Sequence, residues 1–185
     1  NDLNFLVDEL DEIPFPDYEL KTHFILDKSK IRPFLPSDLS NKILFLTGRG
    51  CPYGCEYCSN NKLNKIYEGK RTKIVRWHSI DYAIKEILFL KKKFPVEFKY
   101  ADIRDDTFTW RPLDQIKLFC KRYKKEVGLP IRLLVDPKSV NKEKMDLLVD
   151  AGCIEVSMGI EADESVNKEI YHRNVSDEQV LKSTK

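Results

Sequence analysis

The chain has 185 residues, 42% hydrophobic and 34% charged, the balance of an ordinary globular domain, which excludes disordered and fibrous classes. Thirty-two Lys and Arg stand against thirty Asp and Glu for a formal charge of +2, too near neutrality to signal a nucleic-acid or membrane-surface partner. Apolar runs such as Ile43 to Leu46 and Ile87 to Leu90 fall far short of the roughly 20 residues that cross a bilayer, so no membrane span is expected.

Residues 1–41 are rich in Pro and in acidic or apolar residues, as in Leu10-Asp11-Glu12-Ile13-Pro14-Phe15-Pro16-Asp17-Tyr18, with no sustained period of two or 3.6. They read as an irregular, ordered linker. Its prolines set an extended path, and its aromatics Phe5, Phe15, Tyr18, Phe24 and Phe34 are expected to pack on the domain that begins near Lys42. Its first residues, Asn1-Asp2-Leu3-Asn4, lack the basic and apolar regions of a signal peptide, which makes a cytoplasmic address the default expectation.

From Lys42 onward strand-like runs alternate with helical patterns, the mark of βα units around a parallel sheet and hence of an α/β fold. Strands are predicted at Ile43 to Thr47, Glu97 to Ile103, Ile131 to Asp136 and Ile154 to Met158. Ser79 caps a helix to about Lys93, whose apolar face is Ile80, Ala83, Ile84, Ile87, Leu88 and Leu90. Pro112 suits the first turn of a helix ending near Gly128, and Asn141 caps one ending near Gly152. About four βα units make part of a TIM-like (β/α) barrel, so residues 42–185 are expected to be the N-terminal part of a truncated barrel. Its chemistry belongs at the carboxyl ends of the strands.

Just after the first predicted strand stands Cys51-Pro52-Tyr53-Gly54-Cys55-Glu56-Tyr57-Cys58. Three of the five cysteines within eight residues suit a shared metal in a reducing compartment better than a disulfide framework. Thiolates bind iron well, and a four-iron cluster takes one ligand per iron, so three cysteines leave one iron open to a substrate or cofactor. A zinc site calls for four protein ligands. Cys120 lies mid-helix and Cys153 opens a strand, where each reads as a buried small residue, and His23 and His78 read as bystanders; a three-cysteine zinc site stays open as the alternative.

The cysteine spacing resembles the CxxxCxxC loop of the radical S-adenosylmethionine (SAM) superfamily, in which that loop also follows a strand. The resemblance implies that Cys51, Cys55 and Cys58 hold a 4Fe-4S cluster, that SAM chelates the open iron, and that an electron from the cluster cleaves SAM to a deoxyadenosyl radical. Arg49 and Gly50 lead into the loop, and Gly54 is expected to permit a turn that a side chain would obstruct. Tyr57 matches the aromatic position whose backbone approaches the adenine. Glu161, after Val156-Ser157-Met158-Gly159-Ile160, matches the fourth-strand residue that binds the ribose hydroxyls. Arg173 stands where many members carry a basic residue for the SAM carboxylate. The third-strand glutamate of several members is missing from Ile131-Arg132-Leu133-Leu134-Val135-Asp136-Pro137; Leu134 cannot replace it and Asp136 is a weak substitute.

The segment Ile103-Arg104-Asp105-Asp106-Thr107-Phe108-Thr109 resembles the branch of the family with cobalamin-binding relatives, as do Arg76-Trp77-His78-Ser79 and the Leu10 to Asp17 linker. Asp105 is the expected contact for the SAM amino group. Adjacent acids point to opposite sides of a continuing strand, so at most one of Asp105 and Asp106 should face the cofactor. The resemblance implies an enzyme, with an electron donor such as flavodoxin or ferredoxin, and with methyl transfer if cobalamin is bound by a domain outside this chain. Substrate determinants are expected in later strands. An iron-sulfur redox or structural module without SAM turnover is the alternative of another class.

Overall fold

The computed structural model describes residues 6–39, 41–70 and 73–184; Phe5 and the first residues of the linker lie outside them. Four parallel strands form the main sheet in the order β3 (Lys42–Phe45), β6 (Tyr100–Ile103), β7 (Ile131–Val135) and β8 (Cys153–Met158). Register pairs Phe45 with Ile103, Ile103 with Leu133, and Val135 with Met158, so all four strands end on one side. The sheet is open, and among the described residues no closed barrel forms.

Period two explains which face meets the helices. Ile43 and Phe45, Ala101 and Ile103, and Ile131, Leu133 and Val135 are buried. Over them lie α2 (Ile80–Lys93), α3 (Leu113–Glu126) and α4 (Lys142–Asp150). Ile84, Ile87, Ile116, Phe119 and Leu148 are fully enclosed there, each contributing roughly 1.5–3 kcal/mol through burial. The expected caps are present: Ser79 Oγ accepts from Tyr82 N–H and Asn141 Oδ1 from Lys144 N–H. Pro112 is the residue immediately before α3.

Two strands stop earlier than the pattern predicts, for reasons that lie in tertiary bonds. β3 ends at Phe45 because Thr47 N–H is taken by a side chain of the β6 loop rather than by a neighbouring strand. β7 ends at Val135 because Asp136 O turns to accept from Ser139 and Val140. Pairing of β6 begins at Tyr100, three residues later than predicted, where Lys99 N–H still reaches Asn41 O.

The linker contains structure that its sequence does not signal. β1 (Phe24–Asp27) and β2 (Lys30–Pro33) form an antiparallel hairpin whose turn residues Lys28 and Ser29 take positive φ. Phe24, expected to pack, is 60% exposed. Phe15 does pack, its ring 4.8 Å from that of Tyr82 on α2, and Tyr18 Oη donates to Glu86 on α2 at 2.6 Å. Short strands β4 (Gly48–Arg49) and β5 (Arg76–Trp77) pair antiparallel across the cysteine segment. Helix α1 (Ser59–Ile66) comes directly after that segment, while α5 (Glu164–Glu169) and α6 (Asp177–Ser183) come after β8. Among the described residues no helix is long and apolar enough to cross a membrane.

Candidate functional site

The site begins where β3 gives way to the cysteine segment. Asp105, at the end of β6, accepts from the backbone N–H groups of Thr47 and Gly48 and from the Thr47 hydroxyl. Thr47 is gripped from its other side by Arg111, whose Nη2 donates to Thr47 O at 2.6 Å and to Thr47 Oγ1 at 2.8 Å. Arg111 is fully buried and Asp105 nearly so. The guanidinium lies 5.3 Å from the Trp77 ring and 5.8 Å from the Phe108 ring, which replaces lost water with aromatic faces. Burial holds Arg111 down to about 10, with the charge of Asp105 opposing. Burial likewise pushes the Asp105 carboxyl up, against its hydrogen bonds from Thr47.

Asp105 faces inward, where its carboxylate holds the start of the cysteine loop. Asp106 points the opposite way: it is exposed, and its carboxylate accepts from Gly50 N–H at 3.1 Å and from Asn60 Nδ2 at 2.8 Å.

Gly50 carries the steric demand that sequence assigned to Gly54. Its φ is +90°, and a Cβ there would come within 2.2 Å of Ile74 O, so the chain leading into β5 leaves no room for a side chain. At Gly54 a Cβ would meet nothing nearer than 3.9 Å. The loop closes on itself through Cys58 N–H to Cys55 O and on α1 through Asn64 Nδ2 to Cys51 O.

Cys55 is 7% exposed, and Cys51 and Cys58 are half-buried. Burial pushes the Cys51 thiol up to about 11, helped by the Asp106 carboxylate and the other two thiols. Burial also raises Cys55, while the neighbouring Arg173 guanidinium works the other way. Among the described residues no three His, Cys, Asp or Glu side chains converge as they would on a single ion.

The other predicted residues gather at the same strand ends. Glu161 sits just past β8 with φ +70°, its carboxylate folded back over Gly159 and near Arg173. It lies close enough to Tyr57 to help burial push that phenol up to about 12. Tyr57 is half-exposed and packs edge-on against Tyr171, centroids 4.9 Å apart. Arg173 is buried; it donates to the carbonyls of Gly159 and Ile160 and meets Asp136 at 3.1 Å. Asp136 also accepts from Lys138 N–H and stands beside the Tyr53 hydroxyl, which burial and the Asp136 charge push up. A cavity of about 230 Å³ separates the Tyr53 to Cys55 turn from Asp136, Lys138 and Arg173. A larger apolar cleft of about 290 Å³ lies away from the thiols, between Tyr18, Phe34 and Phe94.

Cys120 is buried in α3 and Cys153 opens β8. His78 stacks on Tyr82 at 4.0 Å beside Asp11, and His23 Nδ1 lies 2.6 Å from Glu19 O. Sequence reasoning passed over Arg111, Thr47 and the bridging role of Asp106, since each acts through a partner more than 45 residues away.

The model of the Radical SAM superfamily matches residues 45–185. The chain is 29% identical over 182 residues to an uncharacterized methyltransferase of Pyrococcus horikoshii, covering 97% of this chain and 35% of that protein. It is 29% identical over 143 residues to the bacteriochlorophyllide d C-8(2)-methyltransferase of Chlorobaculum tepidum, covering 74% and 30%. Among solved structures it resembles the radical S-adenosylmethionine methyltransferase TsrM of Kitasatospora setae with cobalamin and a [4Fe-4S] cluster bound. The TM-score is 0.59 at 15% identity, covering 76% of this chain and 27% of that one. The cobalamin-dependent S-adenosylmethionine radical enzyme OxsB gives a TM-score of 0.57 at 16% identity, covering 84% and 26%. The chain thus spans about a third of the length of these curated relatives.

Proposed function

The chain belongs to the radical SAM superfamily, and we propose that it is the cluster-bearing part of an enzyme in which Cys51, Cys55 and Cys58 hold a 4Fe-4S cluster. The observation that carries this reading is the loop itself: three thiols of CxxxCxxC spacing, anchored at the carboxyl end of a parallel strand. Three thiolates suit three irons of four. When bound, such a cluster would supply the electron that cleaves SAM to methionine and a 5'-deoxyadenosyl radical.

The chain's own residues bind and orient. Glu161 accepts from the ribose hydroxyls, which a carboxylate can do with both oxygens. Arg173 supplies positive charge beside Cys55 for the SAM carboxylate. The backbone at Tyr57 would lie alongside the adenine. Asp105 and Arg111 act through Thr47 to hold the loop in place.

Methyl transfer supported by cobalamin is the further part of the proposal. Two relatives are named as methyltransferases, and two structures of similar fold hold cobalamin. Here the cobalamin would come from a domain outside these residues, with 1–41 as the connecting segment and 42–185 as the first part of the barrel. An electron donor of the flavodoxin or ferredoxin class would reduce the cluster.

Anaerobic reconstitution of the full-length protein, with assay for SAM-dependent deoxyadenosine under a strong reductant, tests the reading. Deoxyadenosine formation that depends on the three cysteines is expected. A loaded cluster with no deoxyadenosine would favour a redox or structural iron-sulfur module instead.

A further inference from the structure

The two acids after β6 have separate partners, and only Asp105 is explained by holding Thr47 and Gly48. Asp106 is exposed, yet both its oxygens are committed: Oδ2 to Gly50 N–H at 3.1 Å and Oδ1 to Asn60 Nδ2 at 2.8 Å. Gly50 immediately precedes Cys51, and Asn60 lies two residues past Cys58, in the first turn of α1. One carboxylate from a different βα unit thus joins the two flanks of the cysteine loop.

We infer that Asp106 is a positioning residue for the three-cysteine loop, clamping its entry to its exit, and that its charge beside Cys51 sets the cluster's reduction potential low. This rests on the reading that the loop holds a cluster. Two physical consequences separate the roles. As a clamp, Asp106 restricts how far Cys51 can drift from Cys58, so losing it should speed loss of iron. As a charge, it opposes the electron that a reduced cluster gains, because local charge and hydrogen bonding tune such sites from outside the ligand set.

The position of Gly50 makes the clamp selective. Its φ of +90° and the closeness of Ile74 O leave the Gly50 amide little freedom to find another acceptor. Asn60 reaches Asp106 from a helix whose later residue Asn64 already holds Cys51 O at 3.1 Å. Entry, loop and exit are therefore linked in one circuit, with Asp106 as the member that comes from β6.

Full-length wild-type protein and its Asp106→Asn, Asp106→Ala, Asn60→Ala and Asp150→Asn variants, loaded anaerobically with iron and sulfide, test the two roles. Asp150 pairs with Lys124 at the end of α4, which leads into the start of β8, and serves as the remote charge control. Asp106→Asn should raise the midpoint potential read by electron paramagnetic resonance titration, while Asn60→Ala and Asp150→Asn leave it at the wild-type value. Asp106→Ala and Asn60→Ala should release iron to a chelator several-fold faster than wild type, and Asp150→Asn should not. An unchanged potential in Asp106→Asn would overturn the electrostatic role. Wild-type release rates in both alanine variants would overturn the clamp. A folded Asp106→Asn that takes up no cluster, beside a wild type that does, would support the clamp. Failure of the wild type to bind a cluster would overturn the functional reading and this inference with it.

Discussion

Arg173 Nη2 lies 3.1 Å from Asp136 Oδ2, with the two side chains 7% and 12% exposed. The pair joins the segment after β8 to the end of β7. The same guanidinium donates to Gly159 O at 2.7 Å and Ile160 O at 2.9 Å, so one buried cation fixes the backbone on which Glu161 stands. Arg173→Ala leaves Asp136 as an uncompensated, nearly buried charge and should cost about 3 kcal/mol of stability. Urea denaturation at pH 7 measures it, and Arg173→Lys should lose less. A cost below about 1 kcal/mol would mean that water replaces the guanidinium.

Glu161 occupies the left-handed region at φ +70°, where a side chain costs about 1 kcal/mol or more. Glu161→Gly should therefore stabilise the fold by about 1 kcal/mol while weakening SAM binding. Glu161→Ala should lose about tenfold or more in SAM affinity, since charge-assisted bonds contribute roughly 1.5–3 kcal/mol, and Glu161→Gln should lose less. SAM titrations of reconstituted proteins decide it: equal affinities would assign the ribose to other groups.

Gly50→Ala and Gly54→Ala should behave oppositely. At Gly50 the added methyl meets Ile74 O and the backbone is strained, so a loss of about 2 kcal/mol is expected, with impaired cluster loading. Gly54→Ala should stay within about 1 kcal/mol of wild type and load normally. Thermal denaturation and iron content check both.

Cys120 is 4% exposed, and burial pushes its thiol up to about 12 from an ordinary value near 9. Above pH 9 the unfolded chain surrenders this proton while the folded chain keeps it. The unfolded state then binds fewer protons, so this contribution is complete below about pH 9 and is lost as pH rises toward 12, by up to about 1.4 kcal/mol per unit. Cys120→Ala should remove that slope, seen as a stability difference from wild type that shrinks between about pH 9 and 11. The variant should still load its cluster.

The parallel sheet was legible because apolar alternation in the buried strands is followed by amphipathic helices, as at Ile43 and Phe45 with the helix that Ser79 caps. The hairpin of Phe24–Pro33 was not, because Phe24, Leu26 and Ile31 are mostly exposed and no core face writes a period into them. In the site, the thiol spacing is local and so readable. The inward turn of Asp105 and the outward turn of Asp106 depend on Thr47, Gly50 and Asn60, which adjoin them only after β3 and β6 pair. Glu161 lies where the strand pattern predicts, past β8. Arg173 reaches the site through the return of the chain after α5, a path that periodicity does not encode.

That Cys51, Cys55 and Cys58 together hold a four-iron cluster with one iron open is the central claim. Mössbauer spectroscopy of the anaerobically loaded full-length protein, with and without SAM, tests it most directly. About four irons per chain are expected in the wild type, with one iron site changing on SAM addition, and the cluster should be lost in each of Cys51→Ala, Cys55→Ala and Cys58→Ala. Stoichiometric zinc in place of iron, or a cluster whose irons are all indifferent to SAM, would contradict it.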